Sequence, residues 1–220
     1  MTMATDWDDR NRELASVVAR QPYELDYRGI RVRVDRDVFP PDVGFTTLFL
    51  AEVLLEEHGA SRALDMGTGT LLLALVMRKA GVPDVWAVDN HEPAIRCARA
   101  NLERNPSLAP VTIVQGDLFE AIPGGDRFDL IVFNQPYYPV EGTPIVGLGS
   151  EGGRAIIDRF LGVAADHLTS GGRVVMPFSS IAGEEHDPGQ IAGRAGWQVT
   201  RVRRHTERGL DHRIYSMRPR

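Results

Sequence analysis

The stretch Ala63-Leu64-Asp65-Met66-Gly67-Thr68-Gly69-Thr70 constrains the fold more than any other part of the chain. It reads as a short strand that turns through two closely spaced glycines into the apolar run Leu71 to Met77, which has helical character. Glycines at such a turn let the backbone approach a ligand at the carboxyl edge of a sheet, which is where open α/β sheets bind cofactors.

The chain downstream repeats the same grammar. Short runs rich in Val, Ile and Leu alternate with longer segments whose apolar residues recur at three and four positions, the pattern of βαβ units and a parallel sheet. Strands are predicted at 62–66, 85–88, 111–115, 128–133 and 173–177. Helices are predicted at 70–80, 91–104, 152–168 and 188–194, with Gly171-Gly172 ending the third. Trp197 to Arg204 and His212 to Met217 alternate around Arg208-Gly209, so an antiparallel hairpin closes the sheet.

Upstream, Glu24 to Val34 alternates as a small hairpin turning near Arg28-Gly29. Phe39-Pro40-Pro41 then breaks the chain before a helix at Thr46 to His58. The expected fold is an α/β, Rossmann-like, seven-stranded and mostly parallel sheet with a C-terminal antiparallel hairpin. Residues 1–45 are read as an N-terminal extension of a helix plus a small hairpin, and residues 46–220 as the main domain.

Length and composition bound the rest. At 220 residues the chain suits one well-cored domain plus a short extension. Its longest apolar run, Leu71 to Met77, is too short to span a bilayer. The polar, acidic start and the single cysteine, Cys97, point to a reducing, cytoplasmic setting without an internal disulfide. Cys97 itself is read as a packed helix residue. A net charge of −5 opposes a free-standing nucleic-acid binder. Arg201, Arg203, Arg204, Arg208, Arg213, Arg218 and Arg220 crowd the C-terminus, where a solvated edge hairpin is preferred over a patch for an acidic partner. His205 and His212 flank a turn without a recognisable ligand set, so no metal site is expected.

The cofactor residues follow from strand ends. A dinucleotide fingerprint needs a third glycine for the pyrophosphate, and Leu72 stands there, so the expected cofactor lacks a pyrophosphate. Asp89, followed by Asn90, closes Trp86-Ala87-Val88-Asp89 about twenty residues beyond the glycines, where a carboxylate can accept ribose hydroxyls. Gly116-Asp117-Leu118 follows the next strand; Asp117 is placed to accept an adenine amino group, with Leu118 covering the ring. Each acid alone could be a helix cap.

In this order the residues resemble the class I S-adenosylmethionine-dependent methyltransferases, from about Val34 onward. The resemblance implies S-adenosyl-L-methionine as cofactor and S-adenosyl-L-homocysteine as product. Asp65, Gly67, Thr68 and Gly69 would hold the methionine moiety, Asp89 and Asn90 the ribose, and Asp117 and Leu118 the adenine.

The strand Asp129-Leu130-Ile131-Val132-Phe133 delivers Asn134-Gln135-Pro136-Tyr137-Tyr138-Pro139 to the same edge. Methyl transfer to an amide or arylamine nitrogen needs a lone pair that is otherwise delocalised. The Asn134 side-chain oxygen and the Gln135 main-chain carbonyl can each accept an N–H and stabilise the charge developing on nitrogen. Pro136 would stiffen the turn and Tyr137 could stack on the planar group. The pattern is similar to the Asn-Pro-Pro-Tyr motif of N-methyltransferases acting on protein glutamines or base amines, with Gln135 in place of the first proline.

Two further stretches resemble the HemK-like protein-glutamine methyltransferases, in particular their short archaeal and eukaryotic branch. The first is Val38-Phe39-Pro40-Pro41 with Thr46-Thr47-Leu48-Phe49-Leu50, where the resemblance sets Thr47 against the cofactor's methionine moiety and a helix N-cap is the alternative. The second is Gly149-Ser150-Glu151-Gly152-Gly153-Arg154-Ala155-Ile156-Ile157-Asp158-Arg159-Phe160, a glycine-rich loop and helix start on the substrate side. Arg154, Asp158 and Arg159 are expected to pair with one another on the surface.

The resemblance implies a methyl-acceptor partner, either a protein glutamine or a small-molecule amine, with nucleic acid less favoured by the charge. It also allows a small activator subunit. Two other classes compete. A nucleotide-dependent oxidoreductase shares the glycine opening but is opposed by the missing third glycine and the Asn134 turn. An inactive methyltransferase-like scaffold is opposed by the intact set of acids and glycines.

Overall fold

The computed structural model describes residues 7–136 and 153–220. Helix α1 (Trp7–Val18) precedes an antiparallel hairpin of β1 (Tyr23–Tyr27) and β2 (Ile30–Val34), which turns at Arg28-Gly29 with both residues at positive φ. The chain continues through α2 (Thr46–Leu55), β3 (Arg62–Met66), α3 (Leu72–Lys79), β4 (Asp84–Asp89), α4 (Glu92–Glu103), β5 (Thr112–Gln115) and β6 (Phe128–Phe133). Helix α5 (Arg154–Ala164), β7 (Leu168–Ser179), α6 (Pro188–Arg194), β8 (Trp197–Glu207) and β9 (Leu210–Pro219) complete it.

The main sheet has the order β5-β4-β3-β6-β7-β9-β8. Its first five members are parallel, and β9 and β8 are antiparallel to their neighbours. The chain builds outward from β3 to β5, then crosses back to lay β6 and β7 on the other side. The switch between β3 and β6 therefore opens a crevice at the carboxyl edge.

Side-chain alternation distributes the core over both faces of the sheet. Ala63, Leu130, Val132 and Val175 pack with α2, α3 and the hairpin residues Ile30 and Val32. Leu64, Ile131, Phe133 and Val174 pack with Ile157 and Phe160 of α5 and Ile191 of α6. At the edge away from the crevice, Arg62 lies over the rings of Trp86 and Phe128 at 5.1 and 5.0 Å and pairs with Asp84 and Asp126.

The hairpin is joined to the sheet domain by two buried asparagines four residues apart, Asn101 in the last turn of α4 and Asn105 just past its end. Asn101 accepts the Arg33 N–H at 2.8 Å and donates to the carbonyls of Arg33 and Thr70 at 2.8 and 3.0 Å. Asn105 treats Arg31 in the same way, accepting its N–H at 3.1 Å and donating to its carbonyl at 2.8 Å. Each side-chain amide thus acts as one peptide unit of a missing neighbouring strand, since alternate residues of β2 present their main-chain groups to the same side.

Several expectations change. Gly171-Gly172 does not end α5, which finishes in a 3-10 turn at Ala165–His167. The glycines lie inside β7, where the pairing jumps from Phe128↔Leu168 to Leu130↔Arg173. The added residues bulge there, and a Cβ on Gly172 would lie 2.7 Å from the Phe128 carbonyl oxygen, so backbone approach explains the residue. Helix α2 ends at Leu55, three residues short of His58. The C-terminal arginines are largely tied into the fold: Arg203 pairs with Glu56, Arg201 with Glu57, Arg208 with Glu13, and Arg213 with Asp187, Asp211 and Glu184. Cys97 is buried, as expected, and burial pushes its thiol up to about 11. Among the described residues no helix is long and apolar enough to cross a membrane.

Replacing Asn101 by Ala would strand the Arg33 N–H and the Thr70 carbonyl and leave the Arg33 carbonyl only the weak Cys97 thiol donor. Each unpaired buried group costs about 1–3 kcal/mol, so the variant is expected to lose about 3 kcal/mol of stability in urea unfolding. A loss below about 0.5 kcal/mol would show that the asparagine is not what joins hairpin to domain.

Candidate active site

The strand ends determine the site. Where β3 stops, Gly67 and Gly69 take positive φ values of 68° and 51°, and the turn folds back over the end of β4. The Val88 carbonyl accepts the N–H groups of both Gly67 and Thr68, at 2.8 and 3.0 Å. Leu71 also adopts the left-handed region, φ 70°, immediately before α3 begins. A bulky residue in that conformation is strained, and such strain collects at ligand sites.

Asp65 organises this turn from beneath. Its side chain is wholly buried, and one oxygen accepts the Thr68 hydroxyl at 2.6 Å and the Ala74 N–H at 3.1 Å. The other oxygen, Oδ1, is buried without a partner. Burial raises the Asp65 carboxyl to about 7, opposed by the bonds from Thr68 and Ala74 and assisted by the charge of Asp89. An unpaired buried carboxylate oxygen is costly, of the order of 1–3 kcal/mol or more, so a ligand donor is the natural complement.

Asp89 ends β4 and secures the turn from the side. One oxygen accepts the Gly69 N–H at 2.9 Å and the other the His91 N–H at 2.9 Å. Desolvation by burial still holds this carboxyl above its ordinary range. A carboxylate oxygen has more than one acceptor site, so Asp89 can order the glycine loop and accept from a ligand as well. Asn90 follows it on the wall of the crevice, its carbonyl accepting from Gln115 at 3.3 Å.

Past β5, Gly116 is required by space, because a Cβ there would lie 2.5 Å from that of Ala121. Leu118 takes a positive φ of 48° and forms part of the crevice wall with Asp117. Asp117 is not left to solvent: Arg159 of α5 pairs with it at 2.5 Å. This corrects the expected surface trio. Arg154 and Asp158 pair with each other at 3.2 Å, while Arg159, whose direction along α5 differs, crosses to the end of β5.

These elements enclose a crevice of about 190 Å³ whose walls include the glycine turn, Asp89, Asp117, Leu118 and the end of β6. Asn134 and Gln135 stand at that end. Asn134 donates through Nδ2 to the Thr47 hydroxyl at 3.0 Å. Thr47 therefore is not a helix cap; Phe45 holds the N-cap position of α2 without a side-chain cap bond. With Nδ2 directed to Thr47, Oδ1 is the Asn134 atom suited to accept a substrate N–H.

Gln135 is buried, and its side-chain amide donates to the Pro177 carbonyl at 2.8 Å. In a parallel pair that carbonyl would receive a main-chain N–H from the neighbouring strand, but β6 has ended at Phe133. Gln135 replaces the missing ladder bond with its side chain. The Pro136 carbonyl accepts the Gly153 N–H at 3.0 Å, so α5 starts against the turn. Tyr137 and the stretch Gly149 to Gly152 lie outside the described residues.

Sequence reasoning brought together Thr47, Asp65, Gly67, Thr68, Gly69, Asp89, Asn90, Asp117, Leu118, Asn134, Gln135 and Pro136, all of which border the crevice or, for Asp65, lie directly beneath it. It assigned no role to the loop Asp37–Gly44, which forms one wall, to Ser179 at the end of β7 or to Ile181 beyond it. The Phe39-Pro40-Pro41 break was the available signal for the loop; a polar serine closing an apolar strand was the faint one for Ser179.

Known proteins share the sequence pattern and the fold. The family model described as the methyltransferase small domain matches residues 30–186. A provisionally named protein N5-glutamine methyltransferase of Methanocaldococcus jannaschii is 28% identical over 168 residues, 73% of this chain and 82% of that one. The ribosomal protein uL3 glutamine methyltransferase of Bordetella pertussis is 34% identical over 68% of this chain, and the match spans 55% of its own length. Among solved structures, a methyltransferase of Pyrococcus furiosus superposes with a TM-score of 0.62 at 20% identity, covering 97% of this chain and 98% of that one. The Thermus thermophilus 16S rRNA N2 G1207 methyltransferase, solved with AdoMet and guanosine, gives 0.65 at 20% identity, covering 90% and 50%. The expected fold is thus one that solved methyltransferases adopt, and the chain belongs to the methyltransferase small domain family as an S-adenosylmethionine-dependent methyltransferase.

Proposed function

We propose that this enzyme methylates the side-chain amide nitrogen of a protein glutamine. The observation that carries the reading is Asn134, held by Thr47 at the end of β6 so that its oxygen and the adjoining Gln135 carbonyl belong to one turn on the crevice wall. Two acceptors suit a primary amide, which has two N–H groups. Relatives named as glutamine methyltransferases of proteins support the same acceptor.

The cofactor, S-adenosyl-L-methionine, supplies an electrophilic methyl group on a sulfonium. The residues present fit it: Asp65 Oδ1 is a buried acceptor without a partner beneath the glycine turn, and the turn lacks the third glycine a pyrophosphate requires. Asp65, Gly67, Thr68 and Gly69 would hold its methionine moiety with Thr47 nearby, Asp89 and Asn90 its ribose, and Asp117 and Leu118 its adenine.

The chain's own part is orientation and electrostatics. As the amide nitrogen pyramidalises and gains positive charge, its N–H bonds to Asn134 and Gln135 strengthen, which selectively stabilises the transition state. Thr47 keeps the Asn134 amide from rotating, and the buried end of β6 fixes the turn, so little reorganisation accompanies reaction.

Incubating the enzyme with donor labelled on its methyl group and a cell extract, then fractionating the label, tests the acceptor. Label is expected in protein and, after digestion, on glutamine; label confined to RNA or to small molecules would sink the reading. Asn134→Ala is expected to lower turnover about 10²- to 10³-fold while S-adenosylhomocysteine binding in calorimetry changes little. Turnover that survives this change would remove Asn134 from catalysis.

A pH dependence follows from Asp65. Its folded value, about 7, lies above the ordinary 3.8, so its contribution to stability is complete below the ordinary value and is lost as pH rises through about 7. A cationic ligand group at Oδ1 favours the carboxylate, so cofactor binding near pH 7 is expected to release protons. Calorimetry in buffers of different ionisation heat should show the release, and Asp65→Asn should abolish it; equal heats in both buffers for the unaltered enzyme would contradict the assignment.

A further inference from the structure

The unpartnered polar atoms of the crevice fall into two groups. Asp65 belongs to the half built from β5, β4 and β3, the half assigned above to the cofactor. The other two, Gln135 Oε1 and Ser179 Oγ, are buried without partners at the ends of β6 and β7, across the topological switch. Both residues border the crevice and both are about 1% exposed. Nearly all buried polar side chains in folded proteins have a partner, so two orphans on neighbouring strand ends beside the reaction turn point to a ligand.

Their chemistry is specific. Gln135 Nε2 is fixed on the Pro177 carbonyl, which leaves Oε1 as an acceptor that cannot exchange roles by flipping the amide. Ser179 stands two residues beyond Pro177 on the same strand, and its hydroxyl can donate. A fixed acceptor beside a donor complements a group that carries one N–H and one carbonyl.

We propose that Gln135 and Ser179 form an acceptor-side subsite that recognises a main-chain peptide group of the substrate, next to the side-chain amide that is methylated. The inference rests on the glutamine reading above and adds a second recognition element to it. It also gives Gln135 a role that a proline could not fill, because proline has no side-chain acceptor. The net charge of −5 favours a peptide over a nucleobase edge as the bearer of this group.

The test uses the full chain saturated with S-adenosylhomocysteine and two probes, N-acetylglutamine N-methylamide and the analogue whose C-terminal N–H is replaced by an ester oxygen, with binding followed by NMR titration. The unaltered enzyme is expected to prefer the diamide about tenfold. Gln135→Pro, which keeps a main-chain carbonyl at the reaction turn, should erase that preference. Ser179→Ala should weaken both probes several-fold while leaving the melting temperature of the ligand-free protein unchanged or higher, because it removes an unpaired hydroxyl. That combination separates recognition from a structural role, in which Ser179→Ala would lower the melting temperature. Should Gln135→Pro fail to fold, the Ser179→Ala pair of measurements decides. Equal binding of the two probes, no binding of the diamide, or a destabilised Ser179→Ala would overturn the subsite. The two readings fail distinguishably: label on protein glutamine with no probe preference removes only the subsite, label on another protein residue with the preference retained removes only the glutamine, and label confined to RNA or small molecules removes both.

Discussion

A carboxylate sealed from solvent lies at the junction of everything else in this molecule. Asp65 is the penultimate residue of β3, the middle of the five parallel strands, takes the Thr68 hydroxyl and the Ala74 N–H on one oxygen, and so sets both the glycine turn and the start of α3. From there the turn reaches sideways to the Val88 carbonyl and to Asp89, which tie the ends of β3 and β4 into one rigid edge. Such a group is unfavourable in isolation, and burial raises its carboxyl to about 7. The fold retains it where an incoming positive charge would offset the desolvation, which makes the centre of the sheet both the organiser of the site and its least relaxed point.

The two halves of the sheet divide the chemistry. On one side of the switch between β3 and β6, Asp89 and Asp117 bring carboxylates to the crevice wall, with Asp65 beneath the glycine turn. On the other, Asn134 and Gln135 offer carbonyl oxygens from a turn braced by Thr47, Pro177 and Gly153. Both arrangements need strands that are parallel and end at one edge, because only then do successive βα units deliver side chains to the same crevice. Arg159 bridges the halves, reaching from α5, which starts against the Asn134–Pro136 turn, to Asp117 past the end of β5.

Much of this was legible in the residues because it is local. Strand and helix identity followed from short apolar runs and helical spacing, and Asp89 and Asp117 could be placed at the crevice because each sits at or just past the end of a recognisable strand. Contacts across large sequence separations were not legible. The bond from Gln135 to Pro177 depends on β7 running on past the end of β6, and the Arg159 pair depends on where α5 lands relative to β5. Gly171-Gly172 misled for the same reason: a glycine pair marks a helix end or a strand bulge equally well, and only the pairing partner, Phe128, decides. Thr47 sat at a helix start, where capping was the obvious local use, and its hydroxyl went instead to a residue 87 positions away.

The two asparagines at the end of α4 and just beyond it have a consequence of another kind. A two-stranded hairpin has bare main-chain edges, and a bare edge is an invitation for any other extended chain to add itself as a strand. Asn101 and Asn105 occupy the outer edge of β2 with side-chain amides, which satisfy Arg31 and Arg33 but present no further row of N–H and carbonyl groups behind them. The ladder therefore terminates there, and along this edge the hairpin is protected from self-association by two side chains.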